Sequence, residues 1–456
     1  MALTKPRPRS DMAKKSVVKP PAKVKTEPPE KVFRPTKKAL LDPDKRKAAV
    51  TAMLINRVMQ VNRAHPNDSA GLTDDIDNWT IGIPIPALVV QYQLQSNVFP
   101  LGRVYSVVGK EGTCKSSLAV EFARWFALAV GASWVFEAEA KFAAKLARSI
   151  LRYEEHATQG IQQCSSQDDW QRNMQEQMKL YLKDVNGTEG RPGCGRTIPF
   201  LWILDSLSGR DSLETMERIE KKGSPTRAFA FEAQKNTQFL RKISADISDE
   251  PISLVIVNHL KEGTTERGFT ERRKPGGAHL NFNTTVEWQM EKFGKSRIVG
   301  KETILDLTLK CYKNSLGATG RVIPVSMNWW HEPDPTNDGH ARQVTFFDWH
   351  ASLPRLIFRL AEEERMGKEA LALTGLTKIH NNSCFSKLLG VGRTQAESFR
   401  DMGQRIVKNR ELKAKLQEIF QIQTNTVFNG SVDYSVQRAA VKESLRRRLE
   451  QYAGSM

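Results

Sequence analysis

Nine consecutive residues constrain this chain more than any others: Gly109, Lys110, Glu111, Gly112, Thr113, Cys114, Lys115, Ser116 and Ser117. They follow an apolar run through Val104, Tyr105, Val107 and Val108 and precede the apolar-periodic Leu118, Ala119, Val120, Phe122 and Ala123. A tight turn therefore joins a strand to a helix. Such a turn aims successive backbone N–H groups and the positive end of the helix dipole at one point, which suits a phosphate. In that arrangement Lys115 reaches the outer phosphates and Ser116 ligates Mg²⁺. Cys114 breaks the pattern, because glycine is expected beside the lysine and a side chain crowds a turn that needs a permissive backbone. Alone, the turn fits either a working nucleotide site or a relic of one.

The flanking pattern sets the fold class. Strands are expected at 103–108, 133–137, 199–204, 252–258, 284–290, 303–311 and 320–326, and helices at 115–130, 140–152, 167–184 and 226–248. This alternation implies an α/β fold with a mostly parallel central sheet, helices on both faces, and ligands at the C-terminal strand ends. Four segments follow from the composition along the chain. Residues 1–42 carry twelve Lys/Arg, four acids and seven prolines and read as a disordered basic tail. Residues 43–76 hold an amphipathic helix to about Ala64 and a polar linker; the helix either packs on another molecule or folds back. The core spans 77–349, and 350–456 is expected to lack strands, with basic helices at 354–366, 396–420 and 435–453.

A formal charge of +18 points to a polyanionic partner, with nucleic acid ahead of an acidic membrane. The cysteines at 114, 164, 194, 311 and 384 show no metal-ligand spacing and no disulfide framework. No apolar stretch is long enough to span a membrane and the N-terminus has no signal-like apolar core, so a soluble, cytoplasmic protein is expected.

Three strand ends add chemistry to the turn. Phe200-Leu201-Trp202-Ile203-Leu204-Asp205-Ser206 ends in an acid placed to hold Mg²⁺ through water. Trp134-Val135-Phe136-Glu137-Ala138-Glu139 ends beside the phosphate site, where Glu139 can polarise an attacking water, with Glu137 as the rival. Leu254-Val255-Ile256-Val257-Asn258-His259 ends in two polar side chains suited to sensing a γ-phosphate and relaying it to the next loop. That loop carries Arg267, Phe269, Arg272, Arg273 and Lys274 before Gly276 and Gly277, which suits DNA, although Glu262, Glu266 and Glu271 dilute its charge.

The order of Gly102-Arg103-Val104, the turn, Glu137-Ala138-Glu139, Leu204-Asp205-Ser206, Val257-Asn258-His259 and Gly276-Gly277-Ala278-His279-Leu280-Asn281-Phe282 resembles the RecA-type recombinase core. Thr80-Ile81-Gly82 through Phe99-Pro100-Leu101-Gly102 resembles that family's entry segment, and Lys310-Cys311-Tyr312-Lys313-Asn314-Ser315 its lysine-bearing strand. The resemblance covers about 45–330 and implies a RecA-like ATPase with ATP and Mg²⁺ as cofactors. It makes Lys115 and Ser116 the phosphate and Mg²⁺ ligands, Glu139 the catalytic glutamate, Asp205 the metal-site acid and His259 the γ-phosphate sensor. Lys313 is then a residue acting on a neighbour's site, although the second lysine of the family's pair is Ser315 here. The family likeness also implies that 45–62 docks on an adjacent protomer and that 210–225 and 260–277 face DNA. UvsX-type phage recombinases likewise carry a non-glycine residue before the lysine, so Cys114 fits a phage-type member.

The expected activity is DNA-dependent ATP hydrolysis by a homo-oligomer, filament or ring, pairing single-stranded with double-stranded DNA. A RecA-like helicase or loader and a weakly catalytic DNA-coating protein remain alternatives. Leu388-Leu389-Gly390-Val391-Gly392-Arg393-Thr394-Gln395-Ala396 fits a helix-hairpin-helix turn or an ordinary helix cap, and Arg446-Arg447-Arg448 a solvated basic face.

Overall fold

The computed structural model describes residues 81–139, 149–150, 159–188, 191–193, 195–207, 225–264, 270–273, 277–333, 340–363, 365–380, 383–386, 396–423, 426–428, 434, 436–439, 443 and 447. The chain divides into two units, Met1–Leu72 with Arg448–Met456 and Thr73–Arg447, and every described residue belongs to the second. The basic tail, the helix and linker at 43–76, the 210–224 loop and the glycine-rich 388–395 turn lie outside the described residues. So do nearly all of the helix expected at 140–152 and most of that at 435–453.

The turn is preceded by β1 (Ile81–Pro84), α1 (Leu88–Leu94) and β2 (Val98–Pro100), none of which the periodicity signals. Then come β3 (Val104–Gly109), α2 (Lys115–Leu128), β4 (Ala132–Glu137), β5 (Gln159–Gln163), α3 (Gln167–Asn186) and β6 (Phe200–Asp205). Next are α4 (Pro225–Ser248), β7 (Ile252–His259), β8 (Lys261–Thr264), β9 (Thr270–Arg273), α5 (Gly277–Asn283) and β10 (Thr284–Lys292). The sheet is completed by β11 (Arg297–Val299), β12 (Glu302–Asn314), β13 (Val322–Pro333) and β14 (Ala341–Phe347).

The large sheet runs β14-β13-β12-β10-β3-β7-β6-β4-β5, with β11 paired to β12. From β10 to β5 every neighbour is parallel, and β12, β13 and β14 extend it antiparallel. The molecule is thus mixed α/β with a large, mostly parallel central sheet, and the strand ends beside the turn belong to adjacent, parallel strands. All six residues of β3 are buried because both sheet faces are covered. On one face Leu118, Phe122 and Trp125 of α2 pack with Tyr105, Val107 and Trp288; on the other, Trp170 and Met174 of α3 and Leu240 and Ile243 of α4 pack with Val104, Trp202 and Leu254. The side chains of α3 and α4 that reach the sheet recur at helical spacing, which is why the sequence placed these helices within two residues of their ends.

Beyond the sheet lie α6 (Trp349–Glu363), α7 (Arg365–Thr374), β15 (Leu376–His380), β16 (Ser383–Ser386), β17 (Glu397–Ser398), α8 (Phe399–Lys408), α9 (Arg410–Ile419) and β18 (Thr426–Val427). The expectation of a strand-free region after 350 fails here: β15, β16 and β17 form an antiparallel sheet, and β18 pairs with β1. These strands are short and polar, and they are fixed by burying Leu376 and Cys384 rather than by a run of β-formers. Nor is 396–420 one helix. Ser398 accepts from Asp401 N to start α8, and Asn409 accepts from Leu412 N to start α9, so two N-caps cut the helix in two.

These helices share the hydrophobic cluster of α2. The indoles of Trp125 and Trp349 both donate to Glu121 Oε1, at 3.1 and 3.0 Å, tying α6 to the helix that follows the turn. Pro354, inside α6, has no N–H for the His350 carbonyl four residues earlier. Gly403 of α8 packs against that carbonyl so closely that a Cβ would lie 1.9 Å from it.

Candidate nucleotide-binding site

The 109–117 turn lies at the C-terminal edge of the parallel strands. Gly109 ends β3 in a gap with no room for a side chain: an added Cβ would lie 2.5 Å from Thr113 Oγ1 and 2.6 Å from the Met290 carbonyl. Thr113 Oγ1 and Lys115 Nζ each donate to the Lys110 carbonyl at 2.8 Å, so the lysine lies folded across its own turn. Burial lowers the Lys115 pKa, opposed by the charges of Asp205, Glu139, Cys114 and Glu111. The suspect position adopts the conformation that glycine would supply: Cys114 has φ 61° and ψ 31°, in the left-handed region, and caps α2. The side chain that departs from the motif therefore leaves the turn's backbone path intact. Burial pushes its thiol up to about 11, against the charges of Lys115 and Lys292.

The expected acids converge on this turn. Asp205, 5% exposed at the end of β6, accepts a hydrogen bond from Ser116, and burial raises its pKa to about 6. The nearby charge of Glu139 adds to the rise, and Ser116, His259 and Lys115 oppose it. Glu139 accepts from the Ser206 hydroxyl and stands 3.0 Å from His259 Nε2. His259 itself pairs in register with Gly109 across β3 and β7, and its backbone N–H donates to Asn258 Oδ1 at 2.9 Å. The interposition of β7 between β3 and β6 thus puts His259 between the turn and the Asp205 strand. Glu137 is buried, and its charge is felt at Cys164.

One candidate side chain, Lys313, is engaged away from the turn. Lys313 Nζ donates to the backbone carbonyls of Asn281, Phe282 and Thr284, holding the C-terminal end of α5 within this chain. In the 260–277 segment, β8 and β9 form a hairpin in which Arg272 faces Glu262 and Arg273 faces Lys261 in register. Gly277 opens α5. Arg267, Phe269, Lys274 and Gly276 lie outside the described residues.

Residue-by-residue inspection of the sequence overlooked Lys292. It ends β10, two residues beyond Met290, which pairs with Gly109, and its charge reaches Cys114. Only the pairing of β10 with β3, made by residues far apart in the chain, could have signalled it.

Among the described residues no group of three or more His, Cys, Asp or Glu is placed to hold a metal ion unaided. One hydroxyl and one buried carboxylate in mutual contact nevertheless fit Mg²⁺, which takes few protein ligands and completes its shell with phosphate and water. The raised pKa of Asp205 marks a carboxylate buried without a full counter-charge, which a cation would provide. The four described cysteines are free thiols. Among the described residues no helix is long and apolar enough to cross a membrane. No protein-family model and no curated protein matches the chain.

Proposed function

We propose that this protein is an ATP- and Mg²⁺-dependent DNA recombinase with a RecA-like core, forming a filament on single-stranded DNA and pairing that strand with a homologous duplex. The observation that carries the proposal is the convergence of Lys115, Ser116, Asp205, Glu139 and His259 from three parallel strands and one helix at a single edge of the sheet. The motif order that resembles the RecA-type core runs through the same residues.

The chain's own groups supply the steps. Lys115 exchanges the Lys110 carbonyl for a phosphate oxygen, and the N–H groups of the turn receive the remaining negative charge. Ser116 and Asp205 would hold Mg²⁺, which would supply positive charge to spread the developing charge on the phosphate. Glu139 orients the attacking water and takes up its proton, while its contact with His259 joins the hydrolytic group to the sensor. Only Leu260 separates His259 from β8, so loss of the γ-phosphate contact is transmitted to the 260–277 segment that we assign to DNA. In a filament Lys313 leaves the carbonyls of α5 for the neighbour's triphosphate, which links assembly to nucleotide state. The charge of +18 favours a polyanion as the substrate of assembly.

Phosphate release measured with and without single-stranded DNA tests the proposal. Stimulation by DNA and its loss in Lys115→Ala are expected. Release that ignores DNA, or that persists at the wild-type rate in Lys115→Ala, contradicts it. Unwinding of duplex without strand pairing would assign the same core to a helicase.

A further inference from the structure

The strand on the far side of the phosphate turn brings a cation to it that the motif does not include. Val286, Trp288 and Met290 of β10 all pack in the hydrophobic cluster of α2. Side chains alternate along a strand, so Lys292 continues that row on the α2 side of the sheet. Met290 is paired with Gly109, the first residue of the turn. Lys292 stands about 7 Å further along, on a strand about 4.8 Å from β3.

This lysine is fixed at its root and free at its tip. Lys292 pairs with Leu307 of β12, and the N–H of Phe293 donates to the Asp306 carbonyl at 2.9 Å, so the backbone is held on both sides of it. Its side chain is exposed, and among the described residues no hydrogen bond or ion pair engages it. Burial raises the Cys114 thiol, and the charges of Lys115 and Lys292 oppose the rise. Lys292 therefore acts electrostatically on the residue that caps α2, the point toward which the N–H groups of the turn and the helix dipole draw an anion.

The strand order gives the direction. Asp205, Glu139 and His259 follow or end β6, β4 and β7, which lie together on one side of β3, and β10 lies on the other. With Mg²⁺ and the γ-phosphate on the side of the acids, the nucleoside end of the phosphate chain lies toward β10. Lys115 takes the outer phosphates, which leaves the innermost one for a second cation.

We infer that Lys292 binds the α-phosphate of the nucleotide held by the 109–117 turn. The inference rests on the nucleotide site proposed above. A cation at the α-phosphate holds nucleoside di- and triphosphates alike, whereas one at the γ-phosphate distinguishes them.

Equilibrium dialysis of the full chain with Mg²⁺ and either ADP or a non-hydrolysable ATP analogue tests it. Lys292→Gln should weaken both nucleotides about tenfold, the loss of one charged hydrogen bond. Lys292→Arg keeps the charge and should restore most of the affinity, and Lys295→Gln, which removes another exposed charge of the same segment, should bind as the wild type does. The urea midpoint of Lys292→Gln should not move, because the side chain holds no part of the fold; a lowered midpoint would assign it a structural role instead. Undiminished affinity in Lys292→Gln, weakening of the ATP analogue alone, or equal weakening in Lys295→Gln overturns the assignment and leaves the nucleotide site standing. A wild-type chain that binds neither nucleotide overturns both.

Discussion

Replacing Cys114 by glycine and, separately, by alanine gives opposite signs depending on whether its backbone is left-handed. At φ 61° the conformation costs a residue with a Cβ about 1–2 kcal/mol, a cost that alanine shares with cysteine and glycine escapes. Glycine gives back about 0.5–1 kcal/mol through the greater freedom of its unfolded chain. Cys114→Gly should therefore be about 0.5–1 kcal/mol more stable than Cys114→Ala. Both lose the packing of the thiol against the core, a loss of about 1 kcal/mol that cancels in the comparison. At an ordinary right-handed position the order is reversed, alanine exceeding glycine by about 1 kcal/mol. Urea unfolding of the two variants side by side measures the difference. Alanine more stable than glycine would refute the left-handed turn, and with it the claim that Cys114 leaves the phosphate path open.

Four further outcomes are expected. Gly403→Ala drives a Cβ into the His350 carbonyl and should lower stability by about 1–3 kcal/mol or more, read as a shift in the unfolding midpoint; a neutral result would mean that α6 and α8 do not meet as closely as described. Glu139→Gln should keep nucleotide binding, seen by dialysis, while phosphate release falls about 100-fold or more; unchanged release would transfer the water-activating role elsewhere. Asp205 has a folded pKa raised from 3.8 to about 6, so its contribution to stability is complete below about pH 3.8 and is lost as pH rises through 6; Asp205→Asn should stabilise the nucleotide-free protein above pH 6 by up to about 3 kcal/mol, measured by denaturant titration at pH 5 and pH 8, while abolishing hydrolysis. Glu302 and Asp306 behave oppositely: hydrogen bonds from Arg400 hold Glu302 below 4.5, and those from Arg297 and Ser326 outweigh burial to hold Asp306 below 3.8, so their stabilisation is present above these values and lost as acid takes the pH through the lower folded ones. Arg400→Met should accordingly flatten the acid limb of the stability curve; a limb unchanged from wild type would show that the network contributes nothing.

The core was legible where local pattern and tertiary role coincide. The strand Val104–Gly109 is apolar throughout because it is buried on both faces, and α4 repeats its apolar residues because one stripe packs on the sheet. The strand ends were legible for the same reason, since Asp205 and the pair Asn258-His259 follow unbroken apolar runs at the C-terminal edge of the parallel strands. What escaped depends on partners distant in sequence. Lys292 reaches the turn only because β10 lies beside β3. β15, β16 and β17 are too short to show a period, and Ser398 and Asn409 act as caps at positions where composition alone reads as continuous helix. The resemblance assigns Lys313 to a neighbour's site, and within one chain it holds the end of α5, a contact that no local pattern encodes.

The most direct measurement is electron microscopy of the protein with single-stranded DNA, in the presence and absence of a non-hydrolysable ATP analogue. Regular filaments that require the analogue and disappear in Lys115→Ala are the predicted result. Assemblies indifferent to nucleotide, or particles that stay monomeric on DNA with the analogue bound, contradict the claim that the 109–117 turn joins a triphosphate to DNA binding.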